Sequence, residues 1–111
     1  MCIRDSIYTG SLELLILKSL TWGARHGYAV GQWIRQGTGN ALVVQEGALY
    51  PALHRLERKG FVEEEWGITD TNREAKFYKL TPEGRKQLRG EVARWQAHVQ
   101  LMTAALSAGK L

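Results

Sequence analysis

Residues 46–62 leave little freedom in how they can fold, because they combine a helical apolar stripe with a proline near its start. Leu49, Leu53 and Leu56 recur at helical spacing, so one side of the segment is apolar and can be buried. A proline is tolerated in the first turn of a helix, where its missing N–H had no intrahelical partner. Pro51 therefore predicts that a short amphipathic helix begins just before it.

This helix should begin near Gly47 and end at Gly60, a residue type that commonly terminates helices. Its other side carries side chains that are charged or can form hydrogen bonds: Tyr50, His54, Arg55 and Arg58. In a recognition helix, the N-terminal residues contact base edges in the major groove of DNA. We therefore assign DNA contacts to Gly47, Ala48, Tyr50, Pro51, His54 and Arg55. An ordinary amphipathic helix with a solvated face is the alternative.

Composition and charge describe an ordinary globular chain of one small domain. The 111 residues are 44% hydrophobic and 23% charged, and the net charge is +4. This charge permits a nucleic acid partner without the excess of a purely electrostatic binder. The single cysteine, Cys2, excludes an internal disulfide and a cysteine-based zinc site and fits a reducing cytoplasm. No apolar run has the roughly 20 residues of a membrane span.

Two further helices are predicted before the 46–62 segment. Thr9 or Ser11 can cap the first, whose apolar residues cover nearly its whole circumference. A domain of this size cannot bury a helix on all sides. We therefore expect part of this helix to contact another subunit, at Leu12, Leu15 and Ile16. The second helix includes Tyr28, Val30, Trp33 and Ile34 and ends in the breaker cluster of residues 37–40, and the third amphipathic helix after it completes a helix-turn-helix pattern. Residues 1–8 show no periodicity, and we interpret them as a disordered or artefactual leader.

Residues 61–80 predict a β-hairpin, with strands at residues 61–66 and 76–80 joined by a polar, turn-rich segment. A hairpin directly behind a recognition helix is a wing. Its tip offers Asn72 and Arg73, with Lys76 just behind, and we expect Arg73 and Lys76 to contact DNA. The acidic residues 63–65 would be unfavourable beside phosphates, so we expect them to face away from DNA.

The last segment predicts a long helix from Pro82 to Ser107, with Thr81 as its N-cap. Such a helix would be ~39 Å long, longer than the small domain before it. Its apolar residues recur at alternating spacings of four and three, and we assign them to a dimer seam: Leu88, Val92, Trp95, Val99, Met102 and Leu106. The alternative is a helix folded back on its own domain.

In their order and spacing, these segments resemble the PadR family of winged-helix transcriptional regulators. The matching segments are residues 12–17 (LELLIL), 26–28 (HGY), 47–57 (GALYPALHRLE), 76–81 (KFYKLT) and 83–85 (EGR). The resemblance covers about residues 10–106 and implies a homodimer formed by the first and last helices. The single C-terminal helix resembles that of the family's compact subgroup, whereas other members of the family have a longer C-terminal domain. The wing departs from the family's Gly-Arg-Pro-Arg-like basic tip, since it has Asn-Arg-Glu-Ala-Lys at residues 72–76, so its DNA contacts should be fewer.

The family's members are mostly repressors, and several respond to small aromatic or drug-like ligands. In compact members, a tryptophan at the matching point of the last helix lines an aromatic pore at the dimer axis. The resemblance therefore implies that Trp95 is a candidate ligand-binding residue, and simple packing in the dimer core is the alternative. Offset-stacked aromatic pairs add about 0.5–1.5 kcal/mol beyond the burial of their area.

The sequence therefore predicts a mainly α-helical fold with a small β-hairpin, a winged helix-turn-helix followed by a long C-terminal dimerisation helix. We expect a leader at residues 1–8, the DNA-binding domain at residues 9–81 and the dimerisation helix at residues 82–111. The expected function is a cytoplasmic, homodimeric transcriptional regulator, chiefly a repressor, that binds a palindromic operator and needs no cofactor or metal. Catalysis is not expected, because the three histidines lie on separate elements and no phosphate-binding loop is present. The alternative is a winged-helix module that binds another protein.

Overall fold

A computed structural model describes residues 3–109, and the side chains of residues 10–109; over this range the chain forms four helices and one antiparallel sheet. The elements are α1 (Ile3–Ser19), β1 (Arg25–His26), α2 (Gly27–Gly37), α3 (Glu46–Arg58), β2 (Val62–Ile68), β3 (Glu74–Leu80) and α4 (Pro82–Ser107). The predicted winged helix-turn-helix with a long C-terminal helix is confirmed. None of the helices in the described range is long and apolar enough to cross a bilayer.

The core lies where α1, α2 and α3 pack on one another and on the sheet. Each helix contributes its apolar stripe, as its periodicity predicts, and the sheet contributes residues from the base of the hairpin. The buried core residues are Leu12, Ile16, Leu17, Leu20, Val30, Ile34, Leu49, Ala52, Leu53, Leu56, Val62, Tyr78, Leu80 and Leu88. Burial of these side chains holds α3 by its apolar side and leaves its opposite side on the surface.

The sheet has the strand order β1-β3-β2, and the two-residue strand β1 was not expected from the sequence. Arg25 pairs with Tyr78, and His26 pairs with Phe77. The guanidinium Nε of Arg25 also donates to the carbonyl oxygen of Ser19 at 2.8 Å, which ties β1 back to the end of α1. β1 therefore fastens the start of α2 to the wing.

The hairpin is longer than predicted, because β2 continues through Ile68 and β3 begins at Glu74. Gly67 allows this extension, since a Cβ at that position would lie 2.7 Å from the ring of Phe77. The turn closes with a hydrogen bond from the Thr69 N–H to the Arg73 carbonyl oxygen at 2.8 Å, and Asn72 adopts a left-handed φ of 61°. The wing tip is thus a short, hydrogen-bonded turn.

The predicted start of α1 and the predicted place of Pro51 in the first turn of α3 are corrected. α1 begins at Ile3, ahead of the expected caps, so residues 3–8 belong to a helix and are not an unstructured leader; Met1 and Cys2 lie outside the described residues. α3 begins at Glu46, so Pro51 lies inside the helix and not in its first turn. A proline there cannot donate to the carbonyl of Gly47, one turn earlier, and the helix gives up one backbone hydrogen bond near its N-terminus.

α4 has the predicted bounds and extends beyond the domain. The Thr81 hydroxyl accepts from the Gly84 N–H at 2.9 Å and donates to the Gly60 carbonyl oxygen at 2.6 Å, which joins the start of α4 to the end of α3. Leu88 packs in the core and Val92 is half-buried, whereas residues 93–107 are exposed. The chain measures 58 × 29 × 29 Å, so the alternative of a helix folded back on its own domain is wrong.

Candidate nucleic-acid interface

One side of α3 is open to solvent and defines the candidate recognition face. Gly47, Pro51, His54 and Arg58 are exposed there at helical spacing, opposite the buried leucines. Gly60 follows the helix with a φ of 80°, the left-handed conformation that glycine adopts readily, and it ends the helix as predicted. Of the residues assigned from the sequence, Gly47, Pro51 and His54 therefore lie on the open face, and Ala48 is half-buried at its edge.

Tyr50 lies at the junction of α3 with α2 and is only partly exposed. Its ring packs closely on Gly27, the first residue of α2, where a Cβ would lie 2.6 Å from the phenol oxygen. His26 caps α2 at the same point, because its Nδ1 accepts from the Ala29 N–H at 3.3 Å. The histidine, glycine and tyrosine thus set how α2 and α3 meet, and Tyr50 offers only an edge to a ligand.

Arg55 does not lie on the open face. Its Nε is 3.5 Å from Oε1 of Glu13 on α1, and its side chain is 33% exposed. A contact between Arg55 and DNA, as assigned from the sequence, would therefore compete with the ion pair that Arg55 forms with Glu13. Arg58, which is exposed one turn further along, lies on the open face beside His54.

The wing carries its charges on two faces, because side chains alternate along each strand. On one face, Lys76 Nζ lies 3.3 Å from Glu64 Oε1 and 5.7 Å from the centre of the Trp66 ring. On the other face, Lys79 Nζ lies 3.5 Å from Glu63 and 3.6 Å from Glu65. Glu64 therefore shares a face with Lys76, which the sequence assigns to DNA, whereas Glu63 and Glu65 lie on the opposite face.

A concave surface lies between α3 and the wing, and it brings together several residues assigned from the sequence. Tyr50 and His54 line it from the helix, Lys76 lines it from the wing, and His26 and Tyr28 complete it. Tyr78 also contributes to this surface, and its burial, with a smaller effect from Glu64, raises the pKa of its phenol. Arg73 is exposed at the wing tip, beyond this surface.

A polar ridge on α2 was missed by the sequence assignments. Tyr28 and Gln32 are joined by a 2.6 Å hydrogen bond from the Gln32 amide to the phenol oxygen, and the Arg35 Nε donates to the Asn40 side-chain oxygen at 3.1 Å. Together with Gly47, these α2 residues line a second concave surface beside the start of α3. Tyr28, Gln32 and Arg35 lie four and three residues apart, so helical spacing could have identified the ridge.

The residues assigned to a dimer fall into two groups. Leu12, Ile16 and Leu88 are buried in the core of the single chain, so they are already covered, while Leu15 and Val92 are half-buried. The remaining seam residues are exposed on α4: Trp95 is 52% exposed, Val99 43%, Met102 42% and Leu106 77%. The Trp95 and His98 ring centres are 5.9 Å apart. No cluster of three metal-ligating side chains occurs in the described part of the chain.

The chain is similar in sequence and in structure to one group of proteins. Residues 16–90 match the Transcriptional regulator PadR-like family. An uncharacterized protein X of Lysinibacillus sphaericus is 31% identical over 93 residues, which cover 84% of this chain and 85% of that protein. A transcriptional regulator from Clostridium thermocellum superposes with a TM-score of 0.79 at 28% identity, over 88% of this chain and 95% of that one. A PadR family transcriptional regulator from Eggerthella lenta gives a TM-score of 0.79 at 25% identity, over 96% and 91% of the two chains.

Proposed function

The chain belongs to the PadR family of transcriptional regulators, and we propose that it is a sequence-specific DNA-binding regulator that acts as a homodimer, chiefly as a repressor. The observation that carries the proposal is the open face of α3, held rigidly on the core between two flanking surfaces. Residues 9–81 form the DNA-binding part and residues 82–111 the dimerisation part. The protein would act in the cytoplasm and without a catalytic step.

The chemistry of the surface supports double-stranded DNA as the ligand. His54 and Arg58 on the open face can donate hydrogen bonds to base edges in the major groove. Arg35 on the α2 ridge and Arg73 at the wing tip each line a concave surface that includes Tyr28 and Gln32 of α2, and both can contact phosphates, which position a protein on the duplex. This is the division of work between the two helices of a helix-turn-helix. The open face of α3 carries His54 and Arg58 and no large apolar side chain, whereas the buried centre of a protein–protein interface is enriched in such side chains.

The exposed half of α4 supports a homodimer. Trp95, Val99, Met102 and Leu106 form an apolar seam of strict heptad spacing that the chain itself leaves in water. Burying one such side chain is worth about 1.5–3 kcal/mol, so a second copy that presents the same seam would be held firmly. A twofold dimer would place two recognition helices about one turn of DNA apart, and the operator would be palindromic.

The exposed ring of Trp95 supports the proposal that a small aromatic effector is a second ligand. Its indole is half-exposed on the seam, and the His98 ring beside it adds a second flat surface. In a twofold dimer, Trp95 can come close to its symmetry mate, and a planar molecule could stack between the two rings. Binding there would change how the two α4 helices pack, and with it the distance between the recognition helices. We propose that such a ligand releases the repressor.

Selection of bound duplexes from a random pool tests the proposal directly. The dimer should enrich a palindromic site, and its affinity for that site should fall with salt because phosphate contacts release counterions. A variant with alanine at both His54 and Arg58 should fail to enrich the same site, while Lys86→Ala, on the exposed first turns of α4, should enrich it like the wild type. A folded dimer that enriches no sequence and binds no duplex would favour the protein-binding alternative.

A further inference from the structure

Glu13 lies on α1 at the point where α1 meets the flank of the candidate recognition helix. Its Oε1 is 3.5 Å from Nε of Arg55 and 3.3 Å from Nζ of Lys59. The Glu13 side chain is 17% exposed, so a largely buried carboxylate faces two cations, one on α3 and one at the C-cap of that helix. Arg55 and Lys59 are one helical turn apart, and both lie on the side of α3 that faces α1.

Each of the two cations is next in the chain to a residue of the open face of α3. Arg55 follows His54 directly, and Lys59 follows Arg58. The Arg55 side chain is 33% exposed and the Lys59 side chain 52% exposed, and both side chains are long. Without Glu13, either side chain could therefore swing toward a phosphate at the edge of the docked helix.

The contact between Glu13 and Arg55 is an electrostatic attraction between the two charges more than a hydrogen bond. The distance of 3.5 Å is too long for a good N–H···O bond, and Arg55 Nε has no hydrogen-bond partner among the residues that the structure describes. Lys59 Nζ donates to the same oxygen of Glu13 at 3.3 Å. One carboxylate thus serves two cations, as a phosphate oxygen on DNA could.

The nearby carboxylate of α4 does not take part. Glu91 lines the same surface depression as Glu13 and Lys59, but its Oε1 accepts from the Gln87 amide at 2.8 Å and pairs with Arg94. Glu13 is therefore the carboxylate that faces the α1 side of the recognition helix.

We propose that Glu13 acts as an internal substitute for a DNA phosphate: it retains Arg55 and Lys59 and so limits the affinity of the protein for DNA of any sequence. This inference rests on the proposed function. A cation that stays with Glu13 in the complex neutralises no phosphate and releases no counterion, so it adds nothing to the salt dependence of binding. Because phosphate contacts carry no sequence information, the restraint applies equally to the operator and to unrelated DNA.

The test compares wild type with Glu13→Gln, which keeps the size of the side chain and removes its charge. Each freed cation should steepen the slope of log affinity against log salt by about 0.9, and one added phosphate contact should raise affinity on the order of tenfold at about 0.1 M salt. The gain should be the same for the selected operator and for a random duplex. Glu83→Gln, which makes the same charge change at an exposed site on α4, is the matched control and should leave the slope unchanged.

A triple variant with glutamine at residues 13, 55 and 59 separates release of the cations from a general gain of positive charge. The triple variant should lose the steeper slope of Glu13→Gln, because the cations that produced it are gone. Equal slopes for Glu13→Gln, Glu83→Gln and wild type would overturn the inference, as would weaker binding by a folded Glu13→Gln dimer. Failure of the wild type to bind any duplex would instead overturn the proposed function.

Discussion

Lys76 and Glu64 lie on neighbouring strands of the wing, with the ammonium nitrogen 3.3 Å from a carboxylate oxygen. The same ammonium lies over the Trp66 ring, 5.7 Å from its centre. Both contacts partly satisfy the lysine charge before any DNA arrives. Arg73, at the exposed tip, forms no ion pair within the described residues, so of the two wing cations assigned to DNA contacts Arg73 is free and Lys76 is already engaged.

Replacing Arg73 should therefore weaken DNA binding more than replacing Lys76. Arg73→Ala should lower the salt slope by about one unit, because one phosphate contact is lost, and Lys76→Ala should lower it by less. The slopes are measured by titrating an operator duplex at several salt concentrations. Lys79→Ala, on the opposite face of the wing, is the control. Equal slopes for Arg73→Ala and wild type would indicate that the tip is a solvated turn.

The recognition helix should depend on His54 and Arg58 more than on Arg55. Alanine at His54 or Arg58 should cost roughly 1–3 kcal/mol of operator affinity, if either side chain donates to a base edge. Arg55→Ala should cost less, because Arg55 is paired with Glu13. Affinities for operators changed at single positions would show which base each residue recognises. A larger loss for Arg55→Ala than for His54→Ala would restore the assignment made from the sequence.

A charge in the α4 seam should separate the subunits without unfolding them. Val99 is 43% exposed in the single chain, so its own domain does not need it for packing. Light scattering should give twice the chain mass for the wild type at micromolar concentration, and the mass of one chain for Val99→Glu, which should keep its helical circular dichroism. Gln100→Glu places the same charge beside the seam and should stay dimeric. A wild type that is a folded monomer would contradict the homodimer.

Planar aromatic dyes should quench the fluorescence of Trp95 if the dimer axis holds a stacking site. The measurement is a titration of the dimer, repeated with Trp95→Leu, in which the quenching should disappear. Quenching that persists unchanged in that variant would arise from the exposed Trp22 or Trp66, or from Trp33, and not from the seam. No quenching in the wild type would mean that Trp95 only packs.

Gly84 should tolerate no side chain, because it lies where α4 crosses the segment after α3. A Cβ there would lie 1.9 Å from the Phe61 carbonyl oxygen, and that backbone cannot move without disturbing β2. Gly84→Ala should lower the free energy of unfolding by about 1–3 kcal/mol or more. Gly90→Ala is the control: its nearest neighbour is the flexible Arg94 at 3.6 Å, and it should stabilise the helix by about 0.5–1 kcal/mol. Denaturation at one fixed protein concentration measures both.

Features that depend on neighbouring residues were predictable from the sequence. The cap at Thr81, the proline after it and the heptad spacing predicted α4 with the bounds that the structure has, Pro82–Ser107. The leucine stripe of α3 predicted which side of that helix is buried. Such signals are local, because capping and amphipathic periodicity involve residues within one or two turns of each other.

Features that depend on distant residues needed the folded chain. Strand β1 has two residues and no periodicity of its own, and it exists because Tyr78 and Phe77 offer it an edge. Arg55 was assigned to the DNA surface because it is polar and lies next to His54, yet packing of α1 against α3 brings Glu13 to within 3.5 Å of it. Polarity shows that a side chain needs water, a ligand or an opposite charge, and only the arrangement of the helices determines which of them it meets.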